Sequence, residues 1–123
     1  MFWKKSNTKK RVAIDWQKLT TVEQLQSLKE ESKTQPVLIF KHSIRCSISS
    51  MALSRLEREW SEELNKITPY YLDLITYRQI SNAVETEFGV YHESPQMIVL
   101  NGGEVVFDAS HMSISTEPLK KWA

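Results

Sequence analysis

The chain has 123 residues, 41% of them apolar and 25% charged, with a formal net charge of +1. That is enough for one hydrophobic core, and the near-neutral balance excludes a global field that would select nucleic acid or strongly acidic partners. A single cysteine, Cys46, excludes an internal disulfide, a two-cysteine exchange mechanism and a zinc site built from several thiolates.

Residues 1–11 carry Lys4, Lys5, Lys9, Lys10 and Arg11 among Ser6, Asn7 and Thr8, without helical or alternating apolar pattern. They read as a flexible basic tail ahead of one domain over residues 12–123, either a contact for an anionic partner or a solvated end. Met1, Phe2 and Trp3 are apolar enough to fold back onto that domain. Residues 12–14 read as a short edge strand leading to Trp16 and Leu19. Thr21 with Gln24 makes a capping box that opens a helix to about Lys33, with Val22, Leu25 and Leu28 at helical spacing. Pro36 ends it, and residues 37–40 read as a strand buried on both faces.

After a polar loop over residues 41–45, a longer helix is expected from about Cys46 to Lys66, its apolar stripe formed by Ile48, Met51, Ala52, Leu56, Trp60 and Leu64. Pro69 marks its end and residues 70–74 form the next strand. Thr76 with Gln79 caps a third helix, with Ile80, Ala83, Val84 and Phe88 on its core side and Gly89 as its stop. Residues 96–100 and 104–107 flank Asn101-Gly102-Gly103, a hairpin signal because those residues tolerate positive φ. A last helix from about Thr116 holds Leu119 and Trp122. The order βαβαβαββα predicts an α/β fold, a central mixed sheet of four to five strands flanked by helices on both faces.

No uninterrupted apolar run, residues 37–40 included, approaches the roughly 20 residues a membrane helix needs, and the N-terminus has no apolar signal core. With a lone thiol, which suits a reducing compartment, the expectation is a cytoplasmic protein without membrane or nucleic-acid partners.

Chemistry converges on Cys46. It lies between a buried strand and an amphipathic helix, where unpaired backbone N–H groups and the helix dipole favour thiolate over thiol. Arg45, His42 and Lys41 are close in sequence, and positive charge acts in the same direction. The thiolate is the attacking form in disulfide exchange; the alternative is a buried cysteine acting as a small hydrophobe. Ser47, Ser49 and Ser50 follow. Ser49 stands where a dithiol protein has its second cysteine; its hydroxyl can bond the thiolate but cannot resolve a mixed disulfide, or it can serve simply in the helix's first turn. Ser94-Pro95 precedes a strand. A cis proline there would present a bare backbone edge to an extended peptide or small thiol, whereas a trans one would merely open an edge strand. His92 and His111 read as surface or loop histidines, Asp73 and Glu93 form no acid–base pair, and no metal site is expected.

Residues 36–50, Pro-Val-Leu-Ile-Phe-Lys-His-Ser-Ile-Arg-Cys-Ser-Ile-Ser-Ser, closely resemble the active-site region of the YtxJ family, the monothiol bacilliredoxins. Residues 88–104 look like the cis-proline strand and hairpin of thioredoxins, and the resemblance covers roughly residues 14 to 123. It implies a thioredoxin-like fold and the removal of bacillithiol, or a similar low-molecular-weight thiol, from cysteines of oxidised proteins. Cys46 would be the nucleophile and Ser94-Pro95 the cis-proline pair shaping the thiol site; beside this, the residue reading offers Arg45, His42, Ser47 and Ser49 as candidates to stabilise the thiolate or bind the thiol. No bound cofactor is implied. The partners would be S-thiolated proteins, the small thiol as co-substrate and a recycling reductase, with the chain a monomer. One departure is Ser47, which stands where a Thr-Cys-Pro type of motif has proline.

Two other classes compete. Monothiol glutaredoxins also have a Cys-x-x-Ser site and carry an iron–sulfur cluster between two subunits, but Ser47-Ile48 replaces their Gly-Phe. A redox-inert binding or stress protein would keep the fold only as scaffold.

Overall fold

The structure is a computed structural model in which residues 10–123 are described. The basic segment 1–9, with Met1, Phe2 and Trp3, lies outside them. Of the remaining tail positions, Lys10 accepts a hydrogen bond through its carbonyl from the Glu62 N–H (2.8 Å), and Arg11 forms an antiparallel bridge with Ser61.

A five-stranded mixed sheet is built from β1 (Gln17–Lys18), β2 (Val37–His42), β3 (Thr68–Asp73), β4 (Gln96–Asn101) and β5 (Glu104–Ser110), in the spatial order β1-β3-β2-β4-β5. β1 and β2 run parallel to β3, while β4 runs antiparallel to β2 and β5. The helices are α1 (Glu23–Glu31), α2 (Ser47–Glu59) and α3 (Arg78–Phe88). All six residues of central β2 are buried, as a strand covered on both faces requires.

Two cores result. Val37 and Ile39 pack with Leu25 and Leu28 of α1 and Ile80 and Val84 of α3, while Leu38 and Phe40 pack with Ala52 and Leu56 of α2, Trp60 and Leu119. Strand alternation sends consecutive β2 residues to opposite cores.

The Thr21–Gln24 capping box forms. The Gln24 side-chain Oε1 accepts from the Thr21 N–H (2.9 Å) and the Thr21 hydroxyl accepts from the Gln24 N–H (3.3 Å). Gly89 closes α3 at φ 67°, and Gly102 and Gly103 turn the β4–β5 hairpin at φ 68° and 85°, positions where a Cβ would be strained.

Several boundaries differ from expectation. Residues 12–14 form no strand; Val12 and Ile14 pack against the α2-side core, and the first strand is Gln17–Lys18. The long helix stops at Trp60, whose ψ of 136° is extended, and resumes only as a 3-10 turn over Glu62–Leu64. Pairing of Ser61 and Glu62 with Arg11 and Lys10 captures the backbone groups a continuous helix would have used. Pro69 lies within β3. The Thr68 N–H points to the β2 side, at the Pro36 carbonyl, so the missing N–H of Pro69 would face β1, whose pairing begins only at Tyr70. Asp73, not a Thr76–Gln79 box, organises the entrance to α3, accepting from the Ile75 and Thr76 N–H groups (3.2 Å each) and the Thr76 hydroxyl (2.8 Å). The C-terminal helix is 3-10 over Glu117–Trp122, with Leu119 buried.

Candidate functional site

The expected polar loop starts two residues later than the sequence suggests, because Lys41 and His42 are the last residues of β2 and both are buried. Continued alternation sends them to opposite faces. His42 goes to the α2 side, stacked on Phe40 with ring centroids 5.9 Å apart. Lys41 goes to the α3 side, where its ammonium lies 2.7 Å from His92 Nδ1. Neither supplies the expected positive charge beside Cys46: Lys41 is committed across the sheet, and burial holds the His42 imidazole below its ordinary 6.5, against the pull of the Asp73 and Glu57 carboxylates. Arg45 and Ser47 flank the cysteine with exposed side chains.

Cys46 is half-buried and is the N-cap of α2, with extended backbone at φ −114° and ψ 120°. Its N–H donates to the Ser43 carbonyl (3.2 Å), closing the turn off β2, and its carbonyl accepts from the Ser50 N–H (3.1 Å), starting the helix. The sulfur thus stands at the end of a 13-residue helix, where first-turn N–H groups lack intrahelical acceptors and the dipole is positive. It makes no capping hydrogen bond itself.

Ser49 is fully buried one turn into α2. Its Oγ lies 2.7 Å from His42 Nδ1 and accepts from the Ser43 N–H at 3.0 Å. The hydroxyl at the second position of the Cys-x-x-Ser motif therefore ties together the end of β2, the turn and the first turn of α2, fixing the frame that carries Cys46.

The Ser94-Pro95 peptide is cis. Pro95 immediately precedes β4, and the register Lys41↔Gln96 places it at the same sheet end as the turn bearing Cys46. The Pro95 carbonyl accepts from the His111 N–H at 3.1 Å.

Sequence reasoning missed two features. Ile48 and Met51, expected in the core stripe, are exposed together with Ile44. The buried stripe of α2 runs instead through Ser49, Ala52 and Leu56, an i, i+3, i+7 line that Ile48 and Met51 merely flank. His92 is not a free loop histidine but the partner of Lys41; a lysine continuing the alternation of a fully buried strand was the available signal. His111 stands exposed, 3.6 Å from Glu93. Among the described residues no group of three or more His, Cys, Asp or Glu is placed to hold a metal, and no helix is long and apolar enough to cross a membrane.

A lone thiol at a helix N-terminus, on this sheet order and at the same sheet end as a cis-proline strand, defines the class of thioredoxin-fold thiol oxidoreductases. Solved structures agree on the fold. A protein described as a candidate oxidoreductase with a thioredoxin fold is 30% identical, covering 85% of this chain and 89% of its own, with a TM-score of 0.71. Malassezia sympodialis thioredoxin (15% identity, 94% and 92% covered, TM-score 0.67) and Trypanosoma brucei brucei thioredoxin (12%, 89% and 88%, 0.69) share the fold alone. The family model of monothiol bacilliredoxin BrxC matches residues 17–119, and the chain belongs to that family. Membership and fold together support thiol oxidoreductase activity.

Proposed function

We propose that this protein removes bacillithiol, or a similar low-molecular-weight thiol, from mixed disulfides on other proteins, with Cys46 as nucleophile. The observation that carries this reading is the position of Cys46, the only cysteine, as N-cap of α2, in a chain of the monothiol bacilliredoxin family. The Cys46 thiolate attacks the small thiol's sulfur in the mixed disulfide. The old S–S bond breaks, the target cysteine leaves as thiolate and takes a proton from solvent, and Cys46 is left joined to the small thiol. Oxidation state is conserved, since one disulfide replaces another.

Ser49 has no sulfur with which to displace that adduct, and its hydroxyl is engaged by His42 and Ser43. A second thiol molecule or a reductase must attack Cys46's new disulfide and restore the thiolate. The cis Ser94-Pro95 edge would align the incoming mixed disulfide by backbone pairing, with Arg45 and Ser47 at the rim. The protein would work as a cytoplasmic monomer without a bound cofactor.

The test uses a model protein carrying one bacillithiol mixed disulfide and, in parallel, one carrying glutathione, with intact-mass readout. The expected result is release of the target thiol with one bacillithiol adduct on the chain, and neither with Cys46→Ser. Preference for the glutathione substrate would move the reading to another thiol, and absence of any adduct would overturn it.

A further inference from the structure

Lys41 and Gln96 are opposite each other across the β2–β4 ladder, both essentially without solvent exposure. Two ladder pairs further in, on the same face, the pair Ile39–Ile98 is apolar core. This polar pair is turned toward residues 91–93, which lead into Ser94-Pro95. Gln96 donates through Nε2 to the Tyr91 carbonyl (2.9 Å) and accepts through Oε1 from the Glu93 N–H (3.3 Å). Lys41 Nζ lies 2.7 Å from His92 Nδ1, and the His92 N–H donates to Glu85 of α3 (3.1 Å). Every residue from 91 to 93 is thus gripped, and Lys41 reaches them from the strand that five residues later delivers Cys46.

We propose that Lys41 is a positioning residue for exchange at Cys46, holding residues 91–93 through His92 so that the Ser94-Pro95 edge stands where the incoming mixed disulfide must lie. This rests on the function proposed above. A buried ammonium is costly unless paired, and Lys41 has only a neutral imidazole within hydrogen-bond reach, with the Glu85 and Glu93 carboxylates acting at longer range. Replacing such a group by an apolar residue is often neutral or stabilising, so a buried lysine here fits a task other than stability. Burial, and after it the Lys41 charge, disfavours protonation of His92, keeping Nδ1 an acceptor. Burial lowers the Lys41 pKa to about 8, so the charge-assisted bond weakens at mildly alkaline pH. The charged groups facing this pair are Glu85 and Arg78 of α3, Glu93 beside His92, and His111 behind Glu93.

The experiment compares wild type with Lys41→Met, an unbranched apolar replacement, and with His92→Ala, which cuts the same contact from the loop side. Three readouts are taken: thiol transfer from a bacillithiolated model protein, alkylation of Cys46 by iodoacetamide, and the thermal midpoint. Transfer should fall by about tenfold or more in both variants, the scale of a displaced positioning element. Alkylation, which needs no peptide edge, should be unchanged, and the midpoint of Lys41→Met should be unchanged or higher. In wild type the ratio of transfer to alkylation should decline as pH rises through about 8, and in Lys41→Met it should be flat. Equal transfer in wild type and variants overturns the proposal, as does a parallel fall in transfer and alkylation. A wild type that transfers no thiol overturns the proposed function itself, and with it a role for Lys41 in exchange.

Discussion

Lys41 and His42 are neighbours on one strand, both basic, both buried and both made less basic by burial, yet they act on different regions. His42 works locally. Seven residues on, it meets Ser49 and braces the turn that holds the thiol. Lys41 works at a distance, crossing to a histidine 51 residues away on the loop that leads into Ser94-Pro95. In the proposed exchange the α2 face frames the attacking thiol and the α3 face the loop that leads to the Ser94-Pro95 edge. A single residue of register shift would exchange the two roles, which is why such a strand must be pinned by core on both sides.

The largest effect should come from removing the thiol at which the two faces meet in the proposed exchange. Cys46→Ser should abolish thiol transfer while leaving the fold and its unfolding midpoint intact, as read by intact mass and circular dichroism. Next in size is the effect of alkaline pH on stability, which isolates Lys41. Its pKa is lowered from 10.5 to about 8, so between those values the unfolded chain binds a proton that the folded one does not, and stability rises with pH. The gain should be on the order of 3 kcal/mol by urea unfolding and absent in Lys41→Met. Burial and the Glu31 hydrogen bond raise the Tyr70 phenol from 10.0 to about 12, so the opposite slope begins above pH 10 and wild-type stability should peak near there.

Ser49→Ala probes the other face. It strips the Ser43 N–H and His42 Nδ1 of their shared partner, and should cost about 1 to 3 kcal/mol in urea unfolding. Unlike Lys41→Met, it should change Cys46 alkylation and thiol transfer together, because the turn itself loosens. The smallest effect is on the acid side. His42 and His92 both have pKa values lowered below 6.5 by burial, so stability is full above that value and is lost as pH falls below it. Replacing His42 by Asn should flatten part of this acid limb.

Much of the fold was legible because its signals are local. The capping box at Thr21, the stop at Gly89 and the Gly102-Gly103 turn each follow from a few adjacent residues and form as read. The errors fall where distant residues decide. The α2 extension was cut by pairing of Ser61 and Glu62 with the N-terminal segment, which no helical pattern reveals. Ile48 and Met51 match the period of a buried stripe, yet the buried line is centred on Ser49, whose hydroxyl has His42 and Ser43 to satisfy it. At the candidate site, the place of Cys46 at a helix start was visible from the strand–turn–helix pattern. The identity of Lys41's partner was not, because strand alternation says which face a side chain takes but not which loop meets it there.

The most direct test of the account is the reactivity of Cys46 in the folded protein against that of a cysteine in a short unstructured peptide, both alkylated by iodoacetamide at pH 7. If the helix start activates the thiol, Cys46 reacts several-fold faster than the peptide, and the advantage disappears in urea. A folded Cys46 that reacts at or below the peptide's rate would contradict the proposal that Cys46 is the nucleophile.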